Sequence, residues 1–191
     1  MSNCIGYKGI KYCSFDDYLI VGTNTSSNGN ALIDRNQDHI HIPLEINGTK
    51  IKELGQCAFK GCKSLISVLI EARITQIGKN CFSECSKLER ITIPNTCIYI
   101  MGWGIQTYSS EFTNEANKYE KLEVFFEPNS QIIFLGSHAI SYREIVEIHI
   151  CNIVQPTVVS GAFTKNTKTT VYSPYNFVFG NIRTTTSNYS S

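Results

Sequence analysis

The chain has 191 residues, 17% of them charged, and a formal net charge of +1. That is enough material for one domain with a sizeable core, and it offers no clustered basic face of the kind nucleic acid or an acidic membrane surface selects. No stretch is long and apolar enough to cross a bilayer as a helix, and the N-terminal run MSNCIGYKGIKYCSFDDYLIV lacks the apolar core of a signal peptide, which favours a cytoplasmic location.

Residues 1–36 read as an N-terminal β-hairpin cap. Residues 10–15 and 18–22 are strand-like about an Asp16-Asp17 turn, the polar run TNTSSNGN follows, and residues 31–33 form a third short strand. Such a cap covers the apolar end of a repeat array.

From residue 37 a unit recurs. After Leu65 come Val68, Ile70, Ile74, Ile77, Gly78, Cys81, Phe82 and Cys85; after Leu88, 23 residues on, Ile91 and Ile93 fall at the same offsets, then Pro94, Cys97 and Ile100, with Gly102 close to the expected glycine. Ile40, Ile42, Ile51, Leu54-Gly55, Ala58-Phe59 and Cys62 make an earlier unit with an insertion around residues 45–49. Val124, Phe126, Ile132, Leu135-Gly136 and Ala139-Ile140 make a later one, and Ile145, Ile148, Ile150, Val154 and Ala162-Phe163 a last. A period of this length marks a solenoid.

Within a unit, the alternating apolar run is a strand with one face inward. Pro43, Pro94 and Pro128 end their strands. Gly55, Gly78 and Gly136 are expected to supply a backbone geometry that other residues resist. Phe59, Phe82 and Phe163 point inward and stack from coil to coil, with Ile105 and Ile140 in their place elsewhere. The domain thus divides into the cap, about five repeats over residues 37–169 with an insertion near 106–121, and a C-terminal strand with a disordered tail over 170–191.

The eight cysteines (Cys4, Cys13, Cys57, Cys62, Cys81, Cys85, Cys97 and Cys151) are scattered, and free thiols are the expectation. Cys57, Cys62, Cys81 and Cys85 have spacings near those of structural zinc ligands. Periodicity explains them otherwise: Cys81 stands where Ala58, Ala139 and Ala162 stand, and Cys62 and Cys85 share one repeat position. Buried packing is therefore preferred to a metal or redox site. A Cys62–Cys85 disulfide between adjacent coils is a lesser alternative. No cofactor is expected.

The run IGKNCFSECSKLERITIP, residues 77–94, resembles the BspA-type (Treponema-type) leucine-rich repeat, whose pattern is close to IGxxAFxxCxxLxxIxIP. IPLEINGTKIKELGQCAFKGC and VFFEPNSQIIFLGSHAI resemble two further variants of it, so the likeness spans about residues 37–172. The resemblance implies an α/β repeat solenoid of short parallel strands, with turns or short helices on the convex side. It also implies a binding role, since members on mucosal bacteria and in protists such as Trichomonas and Entamoeba include adhesins. On that basis the chain is read as a non-catalytic protein-binding module at a cell surface, its partner a host matrix or cell-surface protein. An intracellular scaffold is the alternative, and a cysteine-based metal or redox protein a distant third.

Alternation places the candidate site. With Val68, Ile91, Val124 and Ile148 inward, two outward columns line the concave sheet: His39, Ser67, Arg90, Glu123 and Glu147, and beside them His41, Leu69, Thr92, Phe125 and His149. Tyr108 and Phe112 in the insertion are further candidates, because aromatic side chains are enriched at binding hot spots. None of the four histidines lies in a hydrolase, phosphate-loop or metalloprotease motif, and no enzyme activity is expected.

Overall fold

Alternation at Val68, Ile91, Val124 and Ile148 sets the first side of every coil. In the structure, a computed structural model describing residues 3–26, 30–34, 36–107, 121–141, 145–151, 155–163, 166, 168–175, 178–179, 182–183 and 185–186, these residues lie in direct register on one parallel sheet.

The chain opens with three antiparallel strands, β1 (Cys4–Tyr7), β2 (Ile10–Phe15) and β3 (Tyr18–Val21). The first coil holds β4 (His39–Ile42), then a hairpin of β5 (Glu45–Ile46) and β6 (Thr49–Leu54) turning at Asn47-Gly48. Both turn residues have positive φ, 50° and 78°, the requirement of a tight two-residue hairpin, which Asn-Gly meets at little cost. The second coil has β7 (Ser67–Ile70) and β8 (Gln76–Ile77), the third β9 (Arg90–Ile93), β10 (Tyr99–Ile100) and β11 (Ile105–Gln106). Next come β12 (Lys121–Phe126), β13 (Phe134–Leu135) and β14 (Ile140–Ser141), then β15 (Ile145–His149) and β16 (Thr157–Val158). The chain closes with β17 (Lys168–Ser173), the pair β18 (Val178–Phe179) and β19 (Ile182–Arg183), and β20 (Thr185–Thr186).

Each coil has three sides. The first strands form a seven-stranded parallel sheet, β20-β17-β15-β12-β9-β7-β4. The second strands, β6, β8, β10, β13 and β16, form a parallel sheet that β3 extends through β2 to β1. The third side is a ladder of turns. The Phe59 amide donates to the Cys81 carbonyl at 2.9 Å, Phe82 to Gly104 at 2.9 Å, Ile105 to Ala139 at 2.8 Å and Ile140 to Ala162 at 3.0 Å. The repeat solenoid of short parallel strands holds; where turns or short helices were expected, the described residues form turns and no helix. The turn amides alternate between coil-to-coil bonds and local ones, as in Lys60 donating to the Cys57 carbonyl at 3.2 Å and Cys62 to Phe59 at 3.1 Å.

One spine fills the interior. Ile40, Val68, Ile91, Val124, Ile148 and Val171 follow one another, all at most 4% exposed. Leu54, Ile77, Ile100 and Leu135 do the same on the second side. The Phe59 and Phe82 rings stack at 5.2 Å with planes 14° apart.

Glycine acts differently from expectation. Gly55, Gly78 and Gly136 do not have positive φ. What they provide is close approach: a Cβ on Gly78 would lie 2.7 Å from the Gly55 carbonyl carbon, and one on Gly136 would lie 2.8 Å from the Gly102 nitrogen. Met101, not Gly102, pairs with Gly78 in this column, its amide donating to the Ile77 carbonyl as Gly78 donates to Leu54. Positive φ falls two residues later, on Cys57, Asn80, Trp103 and His138, at 55° or 56° each.

The ends differ from expectation too. Cys4 and Cys13, cross-strand neighbours on β1 and β2, are joined by a disulfide. The other six cysteines, Cys62 and Cys85 included, form no disulfide. Residues 18–26 and 30–32 are more than a lid. β3 pairs in parallel with β6, and the Ala31 amide donates to the Ala58 carbonyl at 2.9 Å, so this segment is itself a partial coil. β2 lies across it, donating from Lys11 to Ala31 (2.6 Å) and accepting from Gly22 at Lys11 (2.8 Å) and from Ile33 at Gly9 (2.9 Å). Its Ile10 and Tyr12 are buried against the spine. At the other end Thr185 and Thr186, expected in a disordered tail, pair with β17. Of the insertion expected near 106–121, Gln106 belongs to β11 and Lys121 to β12, and residues 108–120 lie outside the described residues.

Candidate functional site

The solvent face of the seven-stranded sheet carries both expected columns. Backbone register sets His39, Ser67, Arg90, Glu123 and Glu147 in one row, and Thr170 continues it. The adjacent row pairs His41 with Leu69, then Thr92 with Phe125, His149 and Tyr172. Tyr108 and Phe112 lie outside the described residues.

The two halves of the face differ chemically. At the N-terminal end, His39 Nδ1 meets Ser67 Oγ at 2.8 Å, His41 Nε2 meets Glu71 Oε2 at 2.9 Å, and Leu69 stands 54% exposed. At the C-terminal end the charges form a chain. Arg90 Nη2 lies 3.2 Å from Glu123 Oε2, and Lys121 Nζ lies 3.0 Å from Glu123 and 2.8 Å from Glu147. Lys121 holds the Glu123 carboxyl below its ordinary range, and Glu147 and Glu123 raise the lysine. The Glu123, Glu147 and His149 ligand atoms lie within 4.8 Å of one another, but the ammonium already sits between the two carboxylates, and a cation would have to displace it.

Beside this chain runs a stack. The Arg90 guanidinium lies 4.6 Å above the Phe125 ring. Phe125 stacks on His149 at 4.3 Å, with planes 8° apart, and His149 on Tyr172 at 4.8 Å. Aromatic pairs contribute about 0.5–1.5 kcal/mol beyond burial, which favours this arrangement of the rings. Burial between the rings keeps His149 below its ordinary value despite the nearby carboxylates. Thr92 is short where Phe125 and His149 are long. A pocket of about 380 Å³ opens there, lined by Arg90, Thr92, Phe125, Pro128, His149 and Cys151 among others.

Sequence reasoning missed Lys121, Tyr172 and Cys151. Lys121 and Tyr172 share the outward phase of their strands, so the alternation carried to both strand ends would have found them. Cys151 follows β15 and had no such signal. The cysteines weighed as zinc ligands face the interior: Cys57, Cys62, Cys81 and Cys85 are all buried, the Cys85 thiol donates to the Phe59 carbonyl at 3.1 Å, and burial pushes the Cys57 and Cys81 thiols up. His138 stands on the turn side, stacked on Trp103 at 5.5 Å.

A family model described as BspA type leucine rich repeat region matches residues 11–122 in six copies. The match begins inside the segment expected to be only a cap and ends within β12, whereas the register continues through β17. Among curated proteins and solved structures nothing matches the chain.

Proposed function

The chain belongs to the BspA-type leucine-rich repeat family, and from that premise we propose that it is a non-catalytic protein-binding module. The recognition surface is the solvent face of the seven-stranded sheet, which the family resemblance puts on the concave side. The carrying observation is the Arg90–Phe125–His149–Tyr172 stack beside the 380 Å³ pocket. It is a rigid aromatic and guanidinium surface of the kind that dominates interface energetics, flanked by the Arg90–Glu123–Lys121–Glu147 chain, which sets orientation and partner choice. Mechanistically, a partner side chain fills the notch over Thr92 and displaces water, with no bond made or broken. Family likeness favours an adhesin whose partner is a host matrix or cell-surface protein.

The test is capture from host extract and from the organism's own lysate, side by side. The bait is the wild type, a Phe125→Ala/Tyr172→Ala variant or a Tyr99→Ala control on the second side. A partner retained by the wild type and the control but lost by the double variant supports the reading; equal retention by all three removes it. An intracellular scaffold is the second reading: six cysteines carry no disulfide, whereas the Cys4–Cys13 pair favours an oxidising compartment. Surface biotinylation of intact cells separates the two: labelling only after lysis leaves the scaffold.

A further inference from the structure

We propose that Glu123, Glu147 and His149 form a binding site for zinc or a similar divalent transition-metal ion, with the Lys121 ammonium as an internal cation that the metal displaces. The backbone register creates the need for a cation. Glu123 and Glu147 are direct partners on β12 and β15, and like charges set opposite each other on neighbouring strands repel. Lys121 answers that repulsion, its Nζ 3.0 Å from Glu123 and 2.8 Å from Glu147. The same register puts His149 opposite Phe125, one outward position along from the two carboxylates.

The third donor separates this set from a mere pair of acidic side chains. The imidazole is held between Phe125 and Tyr172, with planes 8° and 17° apart. Its faces are therefore taken, and a metal ion bonds to an imidazole nitrogen at the edge, in the plane of the ring. His149 Nε2 lies 3.9 Å from Glu147 Oε2. That is too long for a hydrogen bond but within reach of a shared zinc ion, whose bonds to nitrogen and oxygen run ~2.0–2.2 Å. Ligand atoms of all three residues lie within 4.8 Å of one another, a spread that small side-chain rotations close about a single ion. Burial also keeps the imidazole in its neutral, metal-binding form at neutral pH.

Displacing the lysine costs little. Its side chain is 44% exposed, and water competes for an ammonium at the surface. The nitrogen donor favours zinc over calcium and magnesium, which take oxygen ligands. In the chain of ion pairs, Arg90 and Lys121 balance Glu123 and Glu147. The metal adds two positive charges and releases the lysine to solvent. Resting on the recognition role proposed for this face, the consequence is a metal-dependent choice of partner: the charge-balanced half of the sheet becomes positive and selects an acidic surface.

Isothermal titration calorimetry of the full chain with zinc chloride tests the site. It needs no partner, so its failure is distinct from failure of the capture experiment. The wild type is expected to bind a single zinc ion with micromolar affinity and to give no heat of binding with calcium chloride. His149→Phe keeps the stack and removes the nitrogen donor, and binding should be lost. Lys121→Met removes the internal cation, and binding should tighten about fivefold, the upper end for an exposed ion pair. Cys151→Ser should bind as the wild type does. If His149→Phe does not fold, Glu147→Gln takes its place, with the same loss expected. No saturable binding at millimolar zinc overturns the proposal. So does wild-type affinity in His149→Phe or Glu147→Gln, an affinity that falls in Lys121→Met, or binding that is lost in Cys151→Ser.

Discussion

Gly78 lies under Gly55 with no room for a side chain: a Cβ there would sit 2.7 Å from the Gly55 carbonyl carbon and 2.8 Å from the Gln56 nitrogen. The obstruction is backbone, so nothing flexible can give way. Gly78→Ala is expected to lower stability by about 1–3 kcal/mol through overpacking, read as a fall in denaturant midpoint. At Gly48, whose Cβ would meet nothing within 4 Å but whose φ is 78°, the cost of alanine is conformational instead. Equal stability of Gly78→Ala and wild type would mean that the coils are not stacked this closely.

The Phe59–Phe82 stack ties the first two coils together, and both rings are fully buried. Phe82→Ala should cost about 3–5 kcal/mol by transfer and cavity terms together. Phe82→Leu should recover most of that, because Ile105 and Ile140 hold the same position in the next coils. Urea denaturation of the two variants checks the ranking.

Acid should weaken the fold in two stages. Burial lowers His149 below its ordinary 6.5, so the unfolded chain takes the proton first and stability falls as pH drops below 6.5. Glu123 is lowered by Lys121 from 4.5; its contribution is complete above 4.5 and is lost as pH falls through the folded value. His149→Phe keeps the stack and cannot be protonated, so it should flatten the first stage and leave the second. Thermal midpoints between pH 8 and pH 3 read both stages, and a midpoint that rises on acidification from 6.5 would contradict the account.

The thiols separate by environment. Unfolded without reductant, the chain should alkylate at six cysteines, the Cys4–Cys13 pair becoming reactive only after reduction. In the native state Cys151 should react ahead of the other five, which are buried. Mass spectrometry after timed alkylation gives the order. Eight reactive cysteines before reduction would exclude the disulfide.

Much of this was legible because one physical rule recurs. Residues such as Ile91 and Ile148 announce a strand by alternation, and a fixed spacing says which strands are neighbours; from those two facts the outward columns follow. What stayed hidden depends on how coils touch. The sequence marks Gly78 as a glycine but not whether it serves conformation or contact, and here contact decides. It marks Cys4 and Cys13 as cysteines, but only the hairpin register of β1 on β2 puts them opposite each other. The partial coil made by β3 and Ala31 was obscured because its turn carries Ala31-Leu32 in place of an Ala-Phe pair after a polar run of different length. The aromatic stack became visible only when β17 brought Tyr172 beside His149.

The account as a whole rests on one unbroken sheet running past the 107–120 insertion, where β9 must pair with β12. Nuclear Overhauser contacts in isotopically labelled protein test this directly. The account predicts cross-strand contacts between Ile91 and Val124 as strong as those between Val68 and Ile91 or Val124 and Ile148. Contacts present on either side but missing between Ile91 and Val124 would divide the molecule into two separate blocks, and would contradict a continuous recognition face.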